Sequence, residues 1–274
     1  MVRCIVRKFS SLKIVLVAFA FGLLFSCLLG YISYACMPEK TFTEITSLPP
    51  REETNNYDNT VIYKGLTDIY DFTSQSVGID VSTWQGVIDY EEVKKQGVEF
   101  VMIRVGLRNA ENKINEDEYF ERNITRALAA GLHVGVYFYS TASNEIEALE
   151  EAKWVVERIK DYKITYPVVY DLENIGLFNT AGLSLEQVNK HAKMFLDYVK
   201  NSGYVGCLYS NGYDLRNRWD TNYLKDYLVW YAHYTDEPSY EGNYVMWQYS
   251  NTGKVKGIYG NVDLDVAYFS YIGD

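Results

Sequence analysis

The sequence predicts an α/β fold, an irregular β/α barrel of about five βα units and three closing β-strands, preceded by an N-terminal transmembrane helix. Three observations carry this. Short β-branched and aromatic runs alternate with amphipathic stretches of helical period, the last third of the chain holds strand-like runs with no room for long helices, and an uncharged apolar run lies near the start. Repeated βα units imply a parallel sheet, whose strands are buried on both faces and read as continuous apolar runs. An open doubly wound sheet is the alternative arrangement of the same units.

Taken in order, the first 13 residues carry Arg3, Arg7, Lys8 and Lys13 and no acid. The apolar run that follows, residues 14–37, exceeds the roughly 7–15 residues of a signal-peptide core and reaches the about 20 that cross a bilayer as a helix. The expectation is an uncleaved signal anchor, with the basic flank 1–13 cytoplasmic and the rest outside a single-pass cell-membrane protein. Cleavage after Ala35, giving a secreted protein, and lipid attachment at Cys27 compete with it. Residues 38–75 combine paired prolines, charges and Asn/Thr without a sustained period, and read as an extracellular linker. A globular domain is expected over 76–274.

Within that domain, strands are expected at 77–82, 100–106, 133–140, 166–173 and 205–212, and helices at 89–97, 117–131, 144–162 and 184–203, several closed by Gly as helix C-termini are. The runs at 227–234, 244–251 and 262–269 supply the closing strands, partly antiparallel.

Charge narrows the function. The net charge is −10, and removing the +4 of residues 1–13 leaves −14 on the remainder. That surface repels nucleic acid and anionic lipid. Of four cysteines, only Cys207 falls in the domain, so no disulfide framework exists there, and it reads as a small core residue. His133, His191 and His233 have no metal-ligand spacing, and nucleophile-elbow, phosphate-loop and dinucleotide patterns are missing, so neither a metal nor a cofactor is expected.

Carboxylates remain. In "PVVYDLEN" (167–174), Asp171 and Glu173 close an apolar strand. Functional groups of β/α barrels sit where strands end, and residues i and i+2 of a strand point the same way, about 6.6 Å apart. Two acids that close in an apolar surround cannot both ionise freely, which raises one pKa, assigned to Glu173, and suits it to general-acid work. Asp80 ends the first strand, and Asp263 and Asp265 repeat the i, i+2 spacing in the last. Any one of these acids also fits a cap or turn role. As a set they point to a site.

Aromatics and amides crowd the same strand ends: Trp84 and Gln85, Tyr137 and Tyr139, Tyr209 and Asn211, Trp230 and Tyr231, Trp247 and Gln248. Flat apolar faces beside amide donors suit sugar rings, although with 26 tyrosines in the chain some of these positions are plain core.

"GIDVSTWQGVIDYEEVKKQGVEFVMIRVG", "DEYFERNITRALAAGLHVGVYFYS", "YPVVYDLEN", "LYSN", "LVWYAHY", "MWQYS" and "GNVDLDVAY" together, in order, resemble glycoside hydrolase family 25, the lysozymes typified by the Chalaropsis enzyme and some phage endolysins. The resemblance covers about 76–271. It implies an irregular β/α barrel that cleaves the β-1,4 bond between N-acetylmuramic acid and N-acetylglucosamine in peptidoglycan glycan strands. It also implies that Glu173 is the catalytic acid, that Asp171 orients or stabilises or acts as nucleophile, and that Asp80 and Asp263 complete an acidic cleft lined by Tyr139 and Gln248. This chain departs from relatives at Asp265, where Asn is frequent, and at Arg104 and Phe138, where Lys and His are frequent. Such a muramidase, held by its anchor, remodels wall within reach of the linker, whose 38 residues span at most roughly 130 Å. A non-catalytic wall-binding module, a chitin-cleaving glycosidase and a muramidase subunit of an envelope-spanning complex are the other classes; protein partners are not indicated.

Overall fold

The computed structural model describes residues 65–273, apart from Asn174, residues 176–179 and Thr221. The expected anchor at 14–37 and most of the linker lie outside the described residues. Among those described, no helix is long and apolar enough to cross a membrane.

The chain runs β1 (Tyr70–Asp71), β2 (Ser76–Val81), a 3₁₀ turn (Thr83–Gln85), α1 (Tyr90–Lys95), β3 (Phe100–Arg108), β4 (Ile114–Glu116), α2 (Phe120–Ala129), β5 (His133–Tyr139), α3 (Glu145–Ile159), β6 (Val168–Asp171), α4 (Leu185–Asn201), β7 (Gly206–Asn211), α5 (Gly212–Asn217), β8 (Leu228–Ala232), β9 (Met246–Gly253), β10 (Val262–Ala267) and β11 (Ser270–Tyr271). Strands β2, β3, β5, β6, β7, β8 and β9 are mutually parallel, and β10 closes the ring antiparallel to both β9 and β2. The result is a closed eight-stranded barrel with β4 paired outside it on β3. Five βα units and three closing strands are present, as the sequence predicts; the open-sheet alternative is excluded by the β2–β3 and β2–β10 pairings.

Local chemistry explains the helix starts. Asp89, Asn144 and Ser184 each accept a hydrogen bond from the backbone N–H three residues on, and Ser184 forms a reciprocal capping box with Gln187. Strand alternation then sorts the apolar residues into two cores. Ile79, Ile103, Val136, Phe138, Tyr170, Leu208 and Leu264 face the helices, meeting Ile124, Val155 and Phe195. Phe100, Met102, Val169, Cys207, Leu228, Trp230 and Phe269 fill the barrel interior. Phe138 therefore packs on Trp154 and Phe195 in the outer layer, and has no part in a cleft.

The domain begins earlier than Ser76. Strand β1 pairs with β11, and Tyr70 is buried against Phe269 and Tyr166, with its hydroxyl donating to the Thr165 carbonyl at 3.0 Å. Residues 65–75 thus belong to the barrel as a clasp across the end where the parallel strands begin. One isoleucine, one tyrosine and one phenylalanine in "DIYDF" are too short a run to register as a strand by period.

Interior volume at this end is divided between large and absent side chains. A Cβ on Gly78 would lie 2.4 Å from the Phe100 ring, and Phe100 is itself stacked on Tyr166 at 4.5 Å. Gly78→Ala is expected to cost about 1–3 kcal/mol, read as a lowered denaturant midpoint with unchanged slope; an unchanged midpoint would show that the ring has room to move.

Candidate active site

The C-terminal ends of the parallel strands and the start of β10 converge on one mouth. Registers across β2, β10 and β9 set Asp263 beside Asp80, and Asp265 beside Gly78 and Gln248. Gln248 Nε2 donates to Asp80 Oδ2 at 2.7 Å, while its Oε1 accepts from the hydroxyls of Tyr209 (2.8 Å) and Tyr234 (3.1 Å). These bonds fix the amide orientation and leave Asp80 as the acceptor. One layer deeper, the Trp230 indole N–H donates to Asp265 Oδ1 at 2.9 Å. Asp171 ends β6 opposite Tyr139 and Tyr209, and its Oδ1 is buried with no hydrogen-bond partner. That oxygen is an acceptor awaiting a donor.

A cation balances part of this charge. Arg104 on β3 donates to Asp117 Oδ2 through Nε (2.8 Å) and Nη2 (2.7 Å). The same Asp117 accepts from the backbone N–H groups of Thr83 and Tyr119, tying the Trp84 turn to the Arg104 side of the mouth.

Electrostatics follow from crowding. Burial drives the Asp171 carboxyl well above the usual range, with Glu173 and Asp80 adding to the rise and Arg104 opposing it. Glu173 is solvent-facing by area, yet the surrounding wall desolvates it and the Asp214 carboxylate repels its charge, so its pKa also rises. Asp80 and Asp263 are raised first by burial and then by neighbouring acids. Such a cluster holds its protons to higher pH than free carboxyls do. Among the described residues, no group of three or more His, Cys, Asp or Glu is arranged to hold a metal ion.

The expected site residues divide. Asp80, Asp171, Glu173 and Asp263 perturb one another and share the mouth, with Tyr137, Tyr209 and Gln248 among them. Tyr139 stands beside Asp171 at the end of β5. Trp84 projects into solvent, 82% exposed, from the 3₁₀ turn. Gln85 is occupied: its Oε1 accepts from the Ser82 N–H in a capping box. Asn211 likewise caps α5, accepting from the Asp214 N–H and donating to that carboxylate. Tyr231 and Trp247 are corrections. Both belong to the outer core, where Tyr231 packs on Tyr240 and Tyr244 and the Trp247 N–H donates to the His233 carbonyl. Each lies one residue from an inward neighbour, Trp230 and Gln248, and alternation sends it the other way. Tyr234 and Asp214 were not anticipated. Tyr234 continues the inward phase of Trp230 and Ala232, a signal present in "LVWYAHY".

Stability carries a pH signature. Asp80, Asp171, Asp263 and Asp265 titrate well above the unfolded value, and burial pushes Glu151 up to about 7. The folded state therefore binds more protons than the unfolded chain above about pH 4, and stability falls as pH rises from there through these raised values. Acids shifted downward, such as Asp197, lie near the surface, where solvent screening leaves them little influence. The unfolding temperature is expected to be higher at pH 5 than at pH 8; a midpoint that climbs over that interval would contradict the buried-acid assignment.

A closed β/α barrel that gathers paired carboxylates at its mouth provides the two acids that glycoside hydrolysis uses. The profile described as "Glycosyl hydrolases family 25" matches residues 79–258, and the chain belongs to that family. It is 31% identical over 189 residues to the autolytic lysozyme of Clostridium acetobutylicum, covering 69% of this chain and 54% of the relative. Among solved structures it is similar to the autolysin LytC of Streptococcus pneumoniae in complex with a synthetic peptidoglycan ligand, at 29% identity and a TM-score of 0.62 over 72% of this chain and 47% of that one. A family 25 glycosyl hydrolase from Bacillus anthracis gives 25% identity and a TM-score of 0.61, over 70% and 88%. The chain thus spans about half the length of the clostridial and pneumococcal relatives.

Proposed function

We propose that the protein is a peptidoglycan hydrolase, an N-acetylmuramidase of the Chalaropsis type that cleaves the β-1,4 bond between N-acetylmuramic acid and N-acetylglucosamine. The observation that carries this reading is the Asp171–Glu173 pair at the mouth, with both carboxyls raised and one Asp171 oxygen unpartnered. Family membership and lysozyme relatives support it.

In this reading Glu173, its carboxyl raised by desolvation and by Asp214 and open to solvent, gives its proton to the departing glycosidic oxygen. The unpartnered Asp171 oxygen accepts from the acetamido N–H of the sugar, holding that group against the anomeric carbon, and the anionic share of the cluster favours the positive charge that develops there. Tyr137, Tyr139, Tyr209 and Trp84 supply ring faces to the glycan. The chain is further proposed to be anchored by residues 14–37 with its barrel outside the cell, a reading supported by the basic flank and the apolar run.

Digestion of purified peptidoglycan by the full chain, followed by borohydride reduction and mass spectrometry, tests the bond specificity. Reduced muramic acid at the new ends is expected. Reduced glucosamine would assign the other glycosidic bond, and no new ends with retained wall binding would leave a docking module.

A further inference from the structure

Asp265 has no place in the chemistry above, yet it sits under it. Its side chain is fully buried on the interior face of β10, one oxygen accepts from Trp230, and the other, Oδ2, has no donor facing it. Diagonally across the β2–β10 ladder, two residues from Gly78, the register partner of Asp265, stands another carboxyl, Asp80, and it accepts from Gln248, which is itself the β9 register partner of Asp265. Each carboxyl shifts the titration of the other. Two carboxylate oxygens do not approach each other in a dry interior unless a proton lies between them, because each is otherwise an acceptor repelling an acceptor. Among the described residues, the surroundings offer no alternative neutraliser. Asp263 on the same strand is a further acid, Trp230 from β8 and Gln248 from β9 are already engaged, and Tyr209 from β7 donates to Gln248 rather than to the acids. Glu173 after β6 adds repulsion at Asp80 and Asp263, Tyr137 from β5 is a neutral phenol facing Asp80, and Arg104 from β3, the cation at this mouth, is held by Asp117.

We propose that Asp265 is a positioning residue of the site, a buried carboxylic acid whose proton is shared with Asp80 and fixes Asp80 in the orientation that receives Gln248. The Trp230–Asp265–Asp80–Gln248–Tyr209 chain then runs as one hydrogen-bonded line from the barrel interior to the mouth, and Asp80 enters the cleft already oriented, carrying one shared proton instead of a second free charge. This inference rests on the glycosidase reading for its consequence in catalysis, but not for its structural content.

Two variants of the full-length chain test it, with wild type as reference. Asp265→Asn keeps an acceptor for Trp230 and gives Asp80 an amide donor, but cannot be protonated. Asp265→Leu provides neither. Infrared difference spectra at neutral pH should show one protonated-carboxyl band of wild type missing from Asp265→Asn, a result independent of any hydrolysis. On peptidoglycan fragments, Asp265→Leu should lower kcat/KM roughly 10- to 100-fold, the range for a lost hydrogen bond to a charged group, and Asp265→Asn should recover most of it. The alkaline limb of the pH–rate profile should also extend further in Asp265→Asn, where the bridging hydrogen no longer titrates. An unchanged carboxyl band in Asp265→Asn, or wild-type kcat/KM in Asp265→Leu, overturns the proposal. If Asp265→Leu does not fold, the infrared comparison with Asp265→Asn still decides. A wild-type protein that cleaves no glycan while showing the band would sink the glycosidase reading and leave the shared proton intact.

Discussion

Glu173→Gln is expected to lower kcat on peptidoglycan fragments by about 10³-fold, within the 10²–10⁴ range that positioned acid catalysis supplies, with KM changed little. The substitution keeps the size and the hydrogen-bonding outline of the side chain, and removes only the transferable proton. Because Glu173 is solvent-facing, the barrel's core is untouched and the variant should melt close to wild type. Initial rates with soluble glycan fragments, measured beside a thermal melt, separate loss of chemistry from loss of fold. Retention of a tenth or more of wild-type kcat would remove Glu173 from the acid's role and direct attention to Asp171, whose carboxyl is also raised.

The second large effect concerns stability. Behind the mouth, Arg108 Nε donates to Glu151 Oε1 at 2.6 Å, and Glu151 Oε2 accepts from the Ser140 hydroxyl at 2.6 Å. Both charged side chains are buried, and Arg108 also reaches Glu150 and the Glu147 carbonyl. Desolvation opposes the charge on Arg108, but its bonds to Glu150 and Glu151 hold it above its usual pKa. Glu151→Ala therefore strands a guanidinium in the outer core with Glu150 as its remaining carboxylate. The expected loss is about 3–5 kcal/mol, as for a buried pair broken on one side. Chemical unfolding reads it directly, and a loss below about 1 kcal/mol would place the pair in the weak class of surface ion pairs. Function should follow. The Ser140 N–H donates to the Asp171 carbonyl at 2.7 Å, so the network grips the backbone of the residue that forms the site.

The parts of the fold that rest on long periodic patterns were legible from residues alone. Helix α3 was expected at 144–162 and spans Glu145–Ile159, and α4 was expected at 184–203 and spans Leu185–Asn201, because a cap and a repeating apolar face mark each. Strand β4, the short α5 and the β1–β11 clasp were not anticipated, since two to six residues hold too little period to separate from a turn. In the site, the acids were legible because carboxylates have no business in an apolar strand without a task or a partner. Tyr231 and Trp247 misled because aromatics serve the core and the cleft equally well, and only strand phase tells them apart. Gln85 and Asn211 misled differently. Each has the chemistry of a sugar ligand and spends it on a backbone N–H of its own turn.

The β1–β11 clasp alters how a tethered enzyme of this kind would meet its substrate. The described chain enters the barrel at the pole opposite the mouth, so under the proposed anchoring residues 38–64 would serve as the leash. At about 3.3–3.6 Å per residue it would extend no further than roughly 90–97 Å. A catalyst so held works at an effective concentration set by leash length and not by the number of molecules released.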